Sequence, residues 1–480
     1  MTITRQLASF ALDTRYEDIP ADVIKSAKLL ILDTIGCAIG AVNTEPGLAV
    51  RQIVEAESDG AATVWGTGQK ASISMAAWAN GRLANVLDID ECYKVQGHHA
   101  QATLSTALAL AEHHKLDGKS VIAAVVMGFD VGVRLGNYLS PRVTLDEQGR
   151  AKGWTGLVGP GQGVHGACTA AARLLQADAD QLANAYGLCA QYMVGRDWSR
   201  QWGRDVELGT IKYADTGWNA QGGLMAARHA IAGVRGVRNI FDTDSYAQVF
   251  SGVILNPTAL TEGLLERWYL PETSIKFWPC CRWIHYALTA YSELIETHSL
   301  RADEIESVDL LSFPMIPYPA FGSEEDPANL VAATFSFAHA AAMIALGVPP
   351  GPDWFTEENM KGEKARAMRR RMHLGVDETG YDPRTWGLEE GVLKVPSSAV
   401  IHARGQTFRT ATEFARGDTW EGAPAFDADD VIAKFKRLAR APHADSSARA
   451  ARVDEMAEVV MSLDRLDDVN ALTRLLNRAD

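Results

Sequence analysis

The sequence predicts a mainly α-helical protein, in which a large helical domain is interrupted by a smaller α/β unit. Alanine- and leucine-rich segments with apolar residues spaced three and four apart occupy the first two-thirds of the 480 residues. Alternating apolar residues and a hairpin signal first occur after about residue 270. A capped helical pattern then returns from Asp427 to the end of the chain, which indicates that the helical domain is discontinuous.

The helical segments are rich in small side chains. Residues 21–41 place apolar side chains on one helical face, and residues 73–90, 101–116 and 165–175 repeat this pattern with many alanines. Because alanine lets helix backbones approach one another, we expect tight helix–helix contacts in this domain.

The α/β unit is predicted from two strand-like segments. Residues 306–313 alternate in part like a strand, and residues 392–414 contain two β-type runs around Arg404-Gly405-Gln406, which favours a hairpin. Residues 332–347 and the basic segment 360–374 have helical spacing. We therefore expect residues 1–268 and 411–480 to form the helical domain and residues 269–410 to form the α/β domain.

Composition and charge exclude several classes of protein. With 47% hydrophobic and 22% charged residues, the chain is neither intrinsically disordered nor fibrous. A net charge of −14 opposes binding to a phosphate backbone, so nucleic acid is not an expected partner. The six cysteines lack the spacing of a metal site. The N-terminal residues lack a signal-peptide pattern, and the longest apolar run, residues 121–129, is too short for a membrane span. We expect a cytoplasmic protein with no membrane partner.

One acidic cluster precedes a histidine pair. Asp88, Asp90 and Glu91 lie shortly before His98 and His99, between two predicted helices. Carboxylates beside imidazoles act as general acids and bases or as metal ligands. The alternative is a solvated junction between helices, and the spacing alone leaves both interpretations open.

Basic residues occur in a second region. Lys212 precedes a glycine-rich segment that opens a helix, a combination that attracts carboxylate or phosphate, although most lysines are surface residues. Arg196, Arg200 and Arg204 are four residues apart and would form one stripe on a helix. Such a stripe can bind an acidic substrate in bidentate fashion or can belong to an exposed or interface helix.

A third cluster lies at the predicted domain boundary, where Lys276, Cys280, Cys281, Arg282 and His285 fall within ten residues. A zinc site would need further ligands, so the two cysteines are interpreted as buried small apolar residues. The histidine is predicted where a helix meets the cleft between domains, a common location for ligand sites.

Several of these segments also match a known family in order and spacing. They are ANGRLANVLDIDECYKVQGHH, GVHGACTAAARLL, IKYADTGWNAQGGLMAA, KFWPCCRWIH, TFSFAHAAA and, towards the end, ARGD followed by PAFDADDVIAKF. Together they resemble the MmgE/PrpD family over about residues 21–435. That family includes 2-methylcitrate dehydratase, cis-aconitate decarboxylase and iminodisuccinate epimerase.

The resemblance implies a large helical domain with a smaller α/β lid, a homodimer, and catalysis without a metal or an organic cofactor. It implies small di- or tricarboxylate substrates that bind between the domains. The residues that match the family's catalytic positions are Asp88, His98, Lys212 and His285. The side chains expected to bind substrate are Cys92, His99, Arg196, Arg200, Arg204 and Arg282.

The sequence differs from cis-aconitate decarboxylases at several of these places. Cys92 stands where those enzymes have a threonine, Asp215 stands where a histidine usually follows the lysine, and His99 replaces a proline. Residues 156–158 contain no counterpart of a further family histidine. These differences favour a diverged member with its own substrate.

The chemistry common to the family is proton transfer at a carbon next to a carboxylate, which requires positive charge to stabilise an enediolate. Lys212 is the candidate cation, or a base if burial lowers its pKa. His98 and His285 are the candidate acid and base, and Asp88 could orient His98. We expect a dehydratase-type lyase. The alternatives are an epimerase or isomerase of an amino- or imino-dicarboxylate and a non-catalytic carboxylate-binding relative, and the same residues suit the first two reactions.

Overall fold

The computed structural model confirms the mainly α-helical class, with small sheets added to it. It describes residues 1–57, 59–94, 97–155, 163–192, 209–210, 215–245, 253–317, 321, 326–387, 391–441 and 446–477. The helices of the N-terminal part are α1 Ile3–Asp13, α2 Ala21–Ala41, α3 Glu45–Ala56, α4 Ile73–Val86, α5 Ala100–His114, α6 Gly118–Tyr138, α7 Gly163–Leu174, α8 Ala179–Cys189 and α9 Thr216–Ile231.

The predicted helix over residues 21–41 is confirmed as α2, which follows Pro20 directly. Its C-terminal two-thirds is almost entirely buried, because α4 packs on it together with a helix from the end of the chain. A helix that is apolar on all sides is stable only inside a protein. The α2 helix is therefore a central element of the helical domain.

Close helix contacts are confirmed where α6 crosses α5 and α7. A Cβ atom added at Gly128 would lie 2.5 Å from the Thr103 methyl group and 2.6 Å from the Gly166 carbonyl oxygen. Both distances are shorter than van der Waals contact, so only glycine lets the three helices approach this closely.

Within the described part of the chain, α6 is the one helix that is long and apolar enough to cross a bilayer. It contains the apolar run 121–129, and 94% of its apolar window is buried inside the protein. The α5 and α7 helices pack on α6, which is therefore a buried helix of the protein core.

Three strands occur in the N-terminal part where the sequence analysis predicts none. β3 (Leu139–Leu145) pairs antiparallel with both β4 (Ala151–Thr155) and β5 (Val253–Leu255). A two-stranded ladder also joins β1 (Ala62–Thr63) to β2 (Lys70–Ala71). Most of these strands are short, and only one of the two partners of β3, the strand β5, is distant in sequence, so local periodicity gives little signal for them.

The α/β unit contains a four-stranded sheet in the order β7-β6-β8-β9. The predicted strand over residues 306–313 is confirmed as β6 (Ile305–Ser312), which pairs antiparallel with β8 (Ser397–Ala403). The predicted hairpin joins β8 to β9 (Gln406–Thr412) through Arg404 and Gly405, both with positive φ. The helix α10 (His285–His298) packs on this sheet.

The helical segments of this unit are shorter than predicted. Residues 332–347 are divided between α11 (Leu330–Phe335) and α12 (Phe337–Ala345), because the Ser336 hydroxyl accepts the His339 N–H and starts a new helix. The basic segment forms α13 (Glu357–Lys361) and α14 (Glu363–Arg369). Its end is a strand, β7 (Met372–Val376), that pairs parallel with β6.

The last three helices return to the helical domain. The predicted cap at Asp427 is confirmed, since its carboxylate accepts N–H groups at the start of α15 (Ala428–Arg440). The α15 and α16 (Ser447–Met461) helices pack on α2, and α17 (Asn470–Leu476) follows them. The domain boundaries at residues 268 and 411 stay a prediction.

The α6 crossing gives a stability test. We expect Gly128→Ala to lower the free energy of unfolding by about 1–3 kcal/mol, because the added methyl group overpacks the contact with α5 and α7. Urea denaturation followed by circular dichroism measures this. Gly209→Ala, where a Cβ meets nothing within 4 Å, is the control, and equal midpoints for the two variants would contradict the packing argument.

Candidate active site

Two carboxylates enter the interior on the turn that follows α4. Asp88 has a φ of 52°, in the left-handed region that aspartate tolerates better than most residues. Its N–H donates to the Asn85 carbonyl oxygen and closes the turn. Both Asp88 and Asp90 are fully buried, so each carboxylate requires a compensating charge or hydrogen bonds.

That compensating charge is Lys276, which comes from the segment before α10. Its Nζ lies 2.5 Å from Asp88 Oδ1 and 4.0 Å from Asp90 Oδ1, and all three side chains are fully buried. Burial alone would lower the pKa of Lys276, but the two carboxylates raise it above its ordinary value. The lysine is therefore a buried ammonium ion.

Sequence reasoning placed Lys276 in the boundary cluster but gave it no role in the site. Its position three residues before Pro279 in the KFWP segment was the available signal. Lys276 lies in an otherwise apolar segment and approaches the two aspartates only in the folded chain. Residue spacing therefore cannot predict its role. The structure adds it to the site.

Asp90 joins the predicted His98 to this group. His98 Nδ1 lies 2.9 Å from Asp90 Oδ2. The same oxygen accepts hydrogen bonds from the side-chain amides of Asn85, at 2.8 Å, and Gln101, at 2.5 Å. Asp90 therefore lies beside the His98 ring and is itself held by two amide donors.

Glu91 holds the start of α5. Its Oε1 accepts the N–H groups of His99, at 2.6 Å, and Ala100, at 2.7 Å, so it satisfies donors that the helix leaves unpaired. Burial raises the pKa of Glu91 to about 8, although these N–H groups favour its ionised form. The residue is thus a buried, proton-bearing cap rather than a charge in the site.

The predicted His285 is the first residue of α10 and is also fully buried. Its Nε2 lies 3.2 Å from the Cys280 carbonyl oxygen, which also accepts from Lys276 Nζ at 3.5 Å. Because a carbonyl only accepts, Nε2 carries the proton and Nδ1 has the free electron pair. Within the described part of the chain, Nδ1 has no hydrogen-bond partner.

The charge state of His285 follows from its surroundings. Burial, with the nearby cations of Arg282, Lys276 and Lys434, lowers its pKa well below the ordinary value of 6.5. A neutral imidazole with an unprotonated Nδ1 is chemically a general base. The structure therefore places one buried base and one buried cation on the same carbonyl group.

Arg282 lies beside this pair and forms a buried ion pair with Asp418. Asp418 also accepts from the Ser274 hydroxyl at 2.7 Å and from the Ala415 N–H at 2.8 Å. The Arg282 Nε and Nη1 groups are buried and make no hydrogen bond to the residues described. Two unsatisfied guanidinium donors fit a substrate carboxylate.

The cluster also has the composition of a metal site. Ligand atoms of Asp88, Asp90 and His98 lie within 4.8 Å of one another. However, the Lys276 ammonium group already occupies the position between the two carboxylates, and it would repel a divalent cation there. We assign the compensating cation of this cluster to Lys276.

Comparison with known proteins decides the family. Sequence models of the MmgE/PrpD N-terminal and C-terminal domains match residues 5–254 and 278–459. The chain belongs to the MmgE/PrpD family. The family predicted from the motifs is thereby confirmed.

Relatives from this family span almost the whole chain. The cis-aconitate decarboxylase of Aspergillus terreus is 26% identical over 99% of this chain and 96% of its own length. The cis-aconitate decarboxylase-like protein oryM of Aspergillus oryzae is 24% identical over 99% and 97%. The cis-aconitate decarboxylase of Homo sapiens is 22% identical over 95% and 90%.

The other residues predicted for this MmgE/PrpD site have different placements. Cys92 is buried next to the cluster, and burial raises the pKa of its thiol to about 12, so it is a neutral thiol. His99 is buried in the helical domain with its ring against Phe129, and burial lowers its pKa to about 3. Lys212, Arg196, Arg200 and Arg204 lie outside the described residues.

Asp215, which stands where a histidine is usual, caps helix α9. Its side chain accepts the Trp218 N–H at 3.1 Å. An aspartate at this position satisfies a free helix donor and favours the start of the helix. Asp215 thus has a structural role at the start of this helix, and that role does not depend on a substrate.

The buried cap gives a prediction for pH. Between pH 4.5 and 8, native Glu91 holds a proton that the unfolded chain has lost, so its contribution to stability falls as pH rises through this window. Glu91→Gln keeps an acceptor oxygen and removes the titration. We expect the free energy of unfolding of the variant, relative to wild type, to increase from pH 5 to pH 8.

Urea denaturation at several pH values measures this difference. Glu57→Gln, at an exposed position at the end of α3, is the control and should follow wild type. Parallel pH profiles for Glu91→Gln and wild type would contradict the assignment of a protonated cap.

Proposed function

We propose that this protein is a lyase that acts on a small di- or tricarboxylate by proton transfer at a carbon next to a carboxylate, without metal or organic cofactor. One observation carries the proposal. The buried ammonium of Lys276 and the neutral His285 share the Cys280 carbonyl oxygen, so a base and an electrostatic stabiliser adjoin each other away from water. The cis-aconitate decarboxylase relatives support a carboxylate substrate.

His285 is the proposed base. Its unprotonated Nδ1 accepts the hydrogen from the carbon next to the substrate carboxylate. The low pKa of the imidazole keeps this nitrogen available at neutral pH. Reprotonation of the opposite face of the carbon by a second group would instead give an epimer, so the base alone does not define the reaction class.

Cations stabilise the enediolate that forms when the proton leaves. Lys276 remains charged, and Arg282 has free guanidinium donors for a carboxylate. In a buried site such charges are much more effective than in water. We assign Lys212, from its match to the family position, to the same task.

His98 is the proposed acid. Asp90 holds its Nδ1 side, so a protonated imidazole can donate to a departing hydroxyl group, which leaves as water while the carbon–carbon double bond forms. The Asp88 carboxylate keeps Lys276 in place. An acid, a base and a stabilising cation are the groups that a dehydratase requires, and the cis-aconitate decarboxylase relatives favour a lyase over an epimerase. We also propose a cytoplasmic homodimer.

The test is a panel of carboxylic acids with purified protein. We expect hydroxy-tricarboxylates such as citrate or 2-methylcitrate to give a rise in absorbance near 240 nm as the double bond forms, with the same rate in the presence of EDTA. cis-Aconitate is included with detection of CO₂, because decarboxylation is the activity named for the relatives. Deuterium incorporation from solvent without elimination would replace the lyase by an epimerase. Binding without turnover or exchange would indicate a carboxylate-binding protein.

The role of the base gives a second prediction. His285→Gln should reduce kcat by about 10²- to 10⁴-fold, the usual contribution of a general base, with a smaller change in KM. Steady-state kinetics on the substrate found above measure this. His298→Gln, at the exposed end of the same helix, is the matched control. Near-normal turnover by His285→Gln would remove this residue from the mechanism.

A further inference from the structure

A second buried lysine contacts the turn that carries Asp88 and Asp90. Lys434, on α15, donates from Nζ to the carbonyl oxygen of Ile89 at 2.6 Å. Ile89 is the residue between the two aspartates. The lysine comes from the opposite end of the chain, 345 residues away in sequence, and its side chain is fully buried.

The charge of Lys434 is balanced by a residue outside the turn. Nζ lies 2.6 Å from Asp33 Oδ1 on α2, and both side chains have zero exposure. Two unpaired charges here would each cost several kcal/mol, whereas a close pair offsets much of that cost. The Asp33 carboxylate therefore offsets part of the cost of burying this ammonium group, and the bond to the Ile89 carbonyl is a second, separate contact.

Packing of α15 on α2 places the lysine. A Cβ atom added at Gly36 would lie 2.9 Å from the Phe435 ring and 3.2 Å from its Cα, so the two helices touch at backbone distance. Asp33 is one helical turn before Gly36, and Lys434 is next to Phe435. The close crossing thus brings the lysine and the aspartate together beneath the active-site turn.

The turn requires support because of its conformation. Asp88 has a positive φ, in the left-handed region that L-residues adopt only at some cost. A hydrogen bond from an ammonium group to a carbonyl is about twice as strong as a neutral one. The bond to Ile89 fixes the peptide between the two carboxylates and hence their position against Lys276.

We propose that Lys434 is a positioning residue of the active site, which holds the Asp88–Asp90 turn through the Ile89 carbonyl, and that Asp33 serves to neutralise it. The kinetic part of this inference rests on the proposed function. The competing explanation is that the Asp33–Lys434 pair only stabilises the contact between α2 and α15. The charged and titratable groups around Lys434 are Asp33 and Cys37 on α2, Asp90 on the turn, and Lys276 and His285 at the domain boundary.

Three variants separate the two explanations. Lys434→Met removes both contacts, Asp33→Asn keeps the bond to Ile89, and the double variant leaves no unpaired buried charge. If Lys434 positions the turn, kcat falls about 10- to 100-fold in Lys434→Met and stays low in the double variant, since small displacements of catalytic groups cost this much. KM should change less than kcat, and Asp33→Asn should stay much closer to wild type.

Lys436→Met is the matched control. This lysine lies on the same helix, is partly exposed, and pairs with Asp454 at 2.9 Å. Recovery of kcat in the double variant would overturn the proposal in favour of simple charge neutralisation. Equal activity of Lys434→Met and Lys436→Met would overturn it as well.

A measurement without substrate makes the inference independent of the proposed function. Hydrogen–deuterium exchange, followed by mass spectrometry, should be faster in peptides covering residues 87–92 of Lys434→Met and of the double variant than in Asp33→Asn and Lys436→Met. Unchanged exchange in this segment would overturn the proposal. If Lys434→Met does not fold, the double variant gives the comparison. A wild-type protein that turns over none of the acids would remove the proposed lyase function only.

Discussion

The site depends on the buried ion pair between Lys276 and Asp88. Removing these charges from water costs several kcal/mol for each ion, and the cost is met only by close contact and further hydrogen bonds. Asp90 supplies the second carboxylate and also lies 2.9 Å from His98 Nδ1. Loss of any one partner would leave an uncompensated buried charge, so these residues form a single electrostatic unit.

The buried charges near the site occur as pairs of opposite sign, and the two members of each pair come from different parts of the chain. Asp33 faces Lys434, the two aspartates of the turn face Lys276, and Asp418 faces Arg282. In the first two pairs the carboxylates belong to the N-terminal part of the chain and the ammonium groups to later segments. Lys434 reaches the turn because α15, near the end of the chain, packs on α2.

Membership in the MmgE/PrpD family and the geometry of the site agree on the class of chemistry. The cis-aconitate decarboxylases that are 22–26% identical to this chain are named for a reaction on a tricarboxylate. The buried cations fit an anionic substrate, and the neutral His285 fits proton removal. At Cys92 and Asp215 the sequence departs from the decarboxylase pattern, and these are a neutral buried thiol and a helix cap. Neither placement removes the base or the cation.

The sequence by itself determined the mainly helical class, the strand β6, the hairpin and the family, because periodicity, turn residues and ordered motifs are local. Motif resemblance also predicts Asp88, His98, Lys212 and His285 as candidate site residues. Only the tertiary structure shows that Lys276 and Lys434 contact the turn that carries the two aspartates, that His285 is buried against the Cys280 carbonyl, and that Glu91 is a buried cap of α5. Charge state and pairing depend on burial and on partners distant in sequence, and no local pattern encodes either of them.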